Sequence, residues 1–137
     1  MSELATQTAI QSVLQALGNF GSGTVVINDW RILDQSTTLA PYAIIQNADN
    51  FNVDRAQCLT TWQIPVTIIV RFTDWQESLN AFRTLRQAVI TALKNLSYVY
   101  GLAADSPIGE IYDKYNDNPD AMPVFISQRL IVPADDQ

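Results

Sequence analysis

The chain has no histidine, which removes the commonest general base and a leading metal ligand from its repertoire. Its single cysteine, Cys58, cannot close an internal disulfide, so the fold holds without one and the compartment is left open. Without histidine to activate it, Cys58 is also no Cys–His nucleophile; it reads as a small residue at the outer end of a strand. Basic residues are scarce: 8 Lys and Arg stand against 14 Asp and Glu, for a net charge of −6. They are scattered without a run, which disfavours a surface built to grip a polyanion. Long apolar runs are missing too. The strongest, residues 66–70, is far too short to span a bilayer. Residues 1–7 lack the positive and apolar regions of a secretory signal. No repeat, low-complexity tract or linker divides the chain, so a soluble, cytosolic single domain over residues 1–137 is expected.

What is present is apolar material: 47% of residues are hydrophobic and only 16% charged, enough for a real core. In residues 2–17, Ile10, Val13, Leu14 and Leu17 share one helical face, with Gly18 placed to end the helix. Residues 24–32 are β-rich and read as a first strand; residues 34–39 are turn-like. A second strand, residues 42–47, follows Pro41. It runs into turn chemistry at residues 48–50 and eight mostly polar residues, and the two strands, 24–32 and 42–47, read as a hairpin with an extended tip.

Residues 59–96 organise the rest. In residues 59–72, Trp62, Ile64, Val66, Ile68, Val70 and Phe72 fall on one face and polar residues or Pro65 on the other, with Ile69 the exception. That is the pattern of a half-buried antiparallel strand. Its length would be roughly 45 Å, against a usual strand of about 17–20 Å. Pro65 has no N–H for a ladder, so pairing there must be missing or bulged. Two readings follow: a kinked strand in one sheet, or a hairpin arm whose outer half docks on another chain. Asp74 and Glu77 form an N-cap and first-turn acid pair, and Leu79, Phe82, Leu85, Val89, Leu93 and Leu96 form one stripe of the ensuing helix. Arg83, Arg86, Gln87, Lys94 and Asn95 take its outer face. Residues 98–107 look irregular, residues 108–115 form a poorer strand, and residues 123–132 form a good last strand. The final residues, 133–137, read as a frayed acidic tail. Helix, strands, helix, strands in this order predict an α+β domain: a mainly antiparallel sheet, two main helices packed on it and a projecting β-hairpin.

No constellation of catalytic residues emerges. The glycine-rich residues 18–24 lack the Lys-Ser/Thr of a phosphate loop and follow a helix instead of a strand. Residues 113–120 carry three carboxylates, but Tyr115 and Asn118 stand where a calcium loop needs an oxygen ligand and a glycine. A solvated turn is the simpler reading. Trp30, Trp62 and Trp75 flank strands and a helix start without the Arg or Lys neighbours of a base-stacking platform. No enzyme activity, cofactor or metal is expected.

The element order, together with Leu39-Ala-Pro-Tyr-Ala-Ile-Ile-Gln46, Thr61-Trp-Gln-Ile-Pro-Val66, the helix that follows and Pro123-Val-Phe-Ile-Ser-Gln-Arg-Leu-Ile-Val132, resembles the tail terminator (tail completion or neck) proteins of tailed bacteriophages. The resemblance spans nearly the whole chain and rests on pattern, not on an invariant chemical motif. It implies a structural virion protein of the tail or neck, assembled in the host cytoplasm. Such proteins form rings, commonly hexamers, that cap the tail tube protein and offer a joining surface to the head-closure protein of the head–tail connector. DNA passes through the channel without specific binding, which an acidic lumen suits; no membrane is involved. On this reading residues 45–63 form the subunit-interface arm, with Phe51, Val53 and Trp62 as apolar anchors and Arg55 as a polar contact. An ordinary flexible loop is the competing reading of those residues. The competing functions are a head-closure or adaptor protein, and a small non-viral α+β domain that binds a metabolite or regulates an enzyme.

Overall fold

The computed structural model describes residues 3–20, 24–29, 41–54, 56, 59–104, 106–111 and 125–137. Trp30, the turn at residues 34–39, Arg55, Cys58 and the carboxylate-rich residues 113–120 lie outside this set. Among the described residues the elements are α1 (Glu3–Ala16), β1 (Val25–Ile27), β2 (Tyr42–Ile45), β3 (Asn50–Asp54), β4 (Leu59–Arg71), α2 (Trp75–Lys94), β5 (Ala103–Ala104), β6 (Gly109–Ile111) and β7 (Phe125–Asp135). The class is α+β, with both helices on one face of a mainly antiparallel sheet.

The strand order is β1-β2-β4-β7-β5, with β3 beside the first half of β4 and β6 beside the first part of β7. The β4–β7 ladder forms the spine, running unbroken from Thr61↔Asp135 to Arg71↔Phe125. Among the described strands only β1 and β2 pair in parallel, so residues 24–32 and 42–47 do not form the expected hairpin, which needs antiparallel strands; the antiparallel neighbours there are β3 and β4. The first strand is shorter than its composition promises, because Asn28 takes a left-handed backbone (φ 55°) directly after Ile27. Gly18 occupies the same region (φ 73°) and ends α1 as expected.

Each helix packs by the stripe its sequence shows. Ile10 and Leu14 of α1 are fully buried, as are Phe82, Val89 and Leu93 of α2, with Leu85 close behind. They meet Ile64, Val66 and Ile68 of β4 and Ile126, Leu130, Val132 and Ala134 of β7 in one core. Asp74 caps α2, its carboxylate accepting the Glu77 N–H at 3.0 Å. One outer-face expectation fails. Arg86 turns back towards the sheet, where its guanidinium donates to Gln128 Oε1 at 2.9 Å and lies 5.9 Å from the Phe82 ring centre.

Ile69 is no flaw in the alternation. It faces away from the helices and joins Tyr42, Ile44 and Phe125 in a second apolar cluster. Residues 64–69 are consequently buried without interruption, so this half of β4 is covered on both faces and only the other half is half-exposed. The chain's last residues also depart from expectation: 133–135 continue β7 instead of fraying. Ala134 is fully buried, Tyr100 N–H donates to the Pro133 carbonyl, and Asp135 N–H donates to that of Tyr98. A terminus stays ordered when its backbone donors and acceptors find partners, and here they do. The same bonds give order to residues 98–104, with a bridge at Val99↔Ala134 and β5 beyond it.

Candidate assembly surface

Pro65 divides β4 physically. On one side of it, Ile45 pairs with Val66; on the other, Asn50 pairs with Gln63. Residues 46–49 therefore stand opposite only residues 64 and 65, so β2 and β3 form one interrupted line with two extra residues at the break. The bulge expected at Pro65 is on this side. Gln46 N–H still donates to the Pro65 carbonyl at 2.8 Å. In an extended residue the N–H and C=O point to the same side, so proline's missing N–H faces the break and the β7 ladder loses nothing.

The Gln46 carbonyl, deprived of that N–H, accepts from Gln7 Nε2 at 2.7 Å. This explains an amide that is only 2% exposed on the inner side of α1. The Glu3 carboxylate accepts the Ala48 N–H, and Arg129 Nη2 meets Asp49 Oδ2 at 3.0 Å. The break is thus stitched to α1 on one face and to β7 on the other.

Beyond the break, β3 pairs with residues 59–63 in the register Asn50↔Gln63 to Asp54↔Leu59. Directly opposed residues share a face, so Phe51 lies beside Trp62 and Val53 beside Thr60, all on the helix-bearing side. The Phe51 and Trp62 rings are 5.4 Å apart and tilted by 47°. Trp62 leans on the main core and directs Nε1–H at Asp136 Oδ1, 3.4 Å away. Phe51 and Val53 are each 54% exposed. The candidate anchors Phe51, Val53 and Trp62 therefore come together on one face; Arg55 lies outside the described residues.

The hairpin is not a bare two-stranded arm. The end of β7 runs alongside it, with Thr61↔Asp135, Trp62↔Ala134 and an Asp136 N–H to Thr60 C=O bond of 2.8 Å. Asp135 fixes this third strand further: Thr61 Oγ1 donates to its Oδ1 at 2.9 Å and the Tyr100 hydroxyl to its Oδ2 at 2.5 Å. That bond to the carboxylate, with lesser help from burial and from the negative charge itself, raises the Tyr100 phenol above its ordinary value of 10.0. Burial also raises Tyr98. Residues 133–135 belong to this strand: Ile126, Leu130, Val132 and Ala134 keep one buried alternation running into them.

Among the described residues no three His, Cys, Asp or Glu side chains are grouped to hold a metal, and no buried side-chain nitrogen or oxygen lacks a hydrogen-bond partner. No helix among them is long and apolar enough to cross a membrane. An open groove of about 750 Å³ lies between Leu17 and the outer face of α2. No protein-family model matches the chain and no curated protein matches it, so a functional reading rests on the element order and on these surfaces.

Proposed function

We propose that this protein is a structural ring subunit that terminates a bacteriophage tail tube and offers the joining surface for the head. The observation that carries the reading is the hairpin of β3 and residues 59–63. Its apolar pair, Phe51 and Val53, backs onto Trp62 and remains open to solvent while the core is complete without it. Exposed apolar residues grouped on a paired, hydrogen-bonded scaffold fit a contact with another chain better than a flexible loop. The long strand then has one task on each side of Pro65: packing the core within, joining a neighbour without. The resemblance of the element order to tail terminators gives that contact a setting, a ring around DNA. The net charge of −6 suits such a channel, because carboxylates repel the phosphates passing through.

The test starts from a population shown by light scattering to be rings. Phe51→Asp with Val53→Asp should reduce the mass to that of a monomer while the far-ultraviolet circular dichroism stays unchanged. An unchanged ring mass would sink the reading. In the virion setting, electron microscopy of tails assembled without the protein should show overlong tubes; heads lacking tails would assign it to head closure instead.

A further inference from the structure

Pro65 and Pro133 nearly meet in the β4–β7 register, where Pro65 faces Ile131 and Gln63 faces Pro133. Their missing N–H groups point in opposite directions. That of Pro65 faces the break at residues 46–49. The Pro133 carbonyl accepts the Tyr100 N–H at 2.9 Å, so its side without a donor faces residues 98–104. There the pairing is broken as well. Val99 is opposite Ala134 and Ala103 opposite Ile131, which sets residues 100–102 against residues 132 and 133 alone. Gly101 takes up the extra residue in a left-handed backbone, φ 60°. Both flanking ladders are thus interrupted at one level of the sheet, and among the described strands only the β4–β7 ladder crosses it.

We propose that the sheet beyond this line, made of β3 and residues 59–63, 98–100 and 134–137, opens and closes as one cooperative unit while the inner sheet stays folded. Its parts hold one another. Asp136 N–H bonds to Thr60 on one side of the β7 end, and Asp135 N–H bonds to Tyr98 on the other. The Asp135 carboxylate takes the Thr61 and Tyr100 hydroxyls, and Phe51 packs on Trp62. Little of this is apolar burial: of these residues only Val99 and Ala134 are buried, with Trp62 half-buried against the main core, whereas residues 64–69 are buried without a gap. Segments held by exposed backbone bonds and few buried side chains open at less cost than a core does. Two ties to α1 keep the unit closed: Gln137 N–H donates to Thr6 Oγ1 at 3.1 Å, and Glu3 accepts the Ala48 N–H. Opening that starts at the outer end stops at the two prolines, where the flanking ladders are already interrupted and the buried run begins. The unit carries Phe51 and Val53, so the order of residues 134–137, on a different strand, sets whether that apolar pair stands on a firm scaffold. This behaviour belongs to the single chain and requires no assembly.

Native-state hydrogen exchange of the full chain tests the unit. After correction for intrinsic rates, the paired amides of β3, Trp62, Tyr100, Asp135 and Asp136 should exchange together, about a hundredfold or more faster than those of residues 66–70. Asp135→Ala should speed all of them by a common factor of about fivefold or more. That includes β3, although β4 lies between it and Asp135. Ile68→Ala should speed the inner amides by about thirtyfold or more and leave the outer ones unchanged, because the outer unit opens without the core. Should Ile68→Ala not fold, Ile68→Val should give the same split, with an inner effect of about twofold or more. Outer amides that respond to the Ile68 substitutions as strongly as the inner ones would overturn the proposal. So would an Asp135→Ala effect confined to the neighbours of Asp135, which would mean separate fraying instead of one unit.

Discussion

One strand, β4, contains two regions that differ in almost every physical respect. Residues 64–69 are buried without a gap, between β2 and β7 laterally and between two apolar clusters above and below. Residues 59–63 are half-exposed, lie between β3 and the end of β7, and share one face with Phe51 and Val53, which are each 54% exposed. The strand's backbone is continuous, so the difference does not come from secondary structure. It comes from where the helices end. Side chains on the helix face of the inner half lie in the core with α1 and α2; in the outer half only Trp62 packs against that core, and Phe51 and Val53 stay more than half exposed. A β-sheet gives every residue similar hydrogen bonding, but only what packs on its faces decides which part is core and which is contact surface.

Substitutions should separate the two halves most strongly at their centres. Ile68→Ala removes a fully buried side chain and should cost about 2–5 kcal/mol in urea unfolding. A loss below 1 kcal/mol there would mean that the inner half is not the core. At the boundary, Gln7→Ala leaves the Gln46 carbonyl without the donor that replaces Pro65's, and should cost about 1–3 kcal/mol. If stability were unchanged, the break would not depend on α1. In the outer half, Val53→Ala should alter monomer stability by no more than about 0.5 kcal/mol, since the residue is more than half exposed. A core-sized loss in that variant would erase the comparison.

The smallest effect concerns the strand that borders the hairpin. Tyr100 should titrate above 10.0, read from phenolate absorbance, and Asp135→Asn should bring it back towards that value. The hydrogen bond favours the protonated phenol. Whatever it contributes to folding is therefore fully present below pH 10.0 and is lost as the pH rises through the higher folded value. No change in the titration of Asp135→Asn would mean that Tyr100 and Asp135 do not meet.

The even-numbered apolar residues from Trp62 to Phe72 and the stripe from Leu79 to Leu96 were legible because a single period governs each. The cap at Asp74 and the stop at Gly18 were equally local. What could not be read depended on residues far apart in the chain. Ile69 looked like an error until Tyr42, Ile44 and Phe125 came round to meet it. Residues 50–54 looked like a polar tip because Phe51 and Val53 alternate with Asn and Asp; pairing with residues 59–63 makes them a strand. Pro133 looked like the start of a frayed tail because proline has no N–H for a ladder, yet its carbonyl takes the Tyr100 N–H and the strand runs on. Phe51, Val53 and Trp62 could be named as candidate contacts only through the arm that the resemblance implies. The groove could not be named at all: Leu17 and Ala88 are brought together only by two helices packing side by side.

By itself, the sequence determined the helices, the long strand, the position at which that strand's pairing is broken on one side, and the absence of histidine. Those depend on side-chain period, on proline's missing donor and on composition, all local quantities. Only the tertiary structure decided that proline's gap falls away from the β4–β7 ladder, that the Gln7 amide donates to the carbonyl left there, and that Phe51 and Val53 of the outer half stay more than half exposed. These are matters of which distant groups come to lie opposite one another, and the alternation of residues along a strand carries no information about what will cover each face.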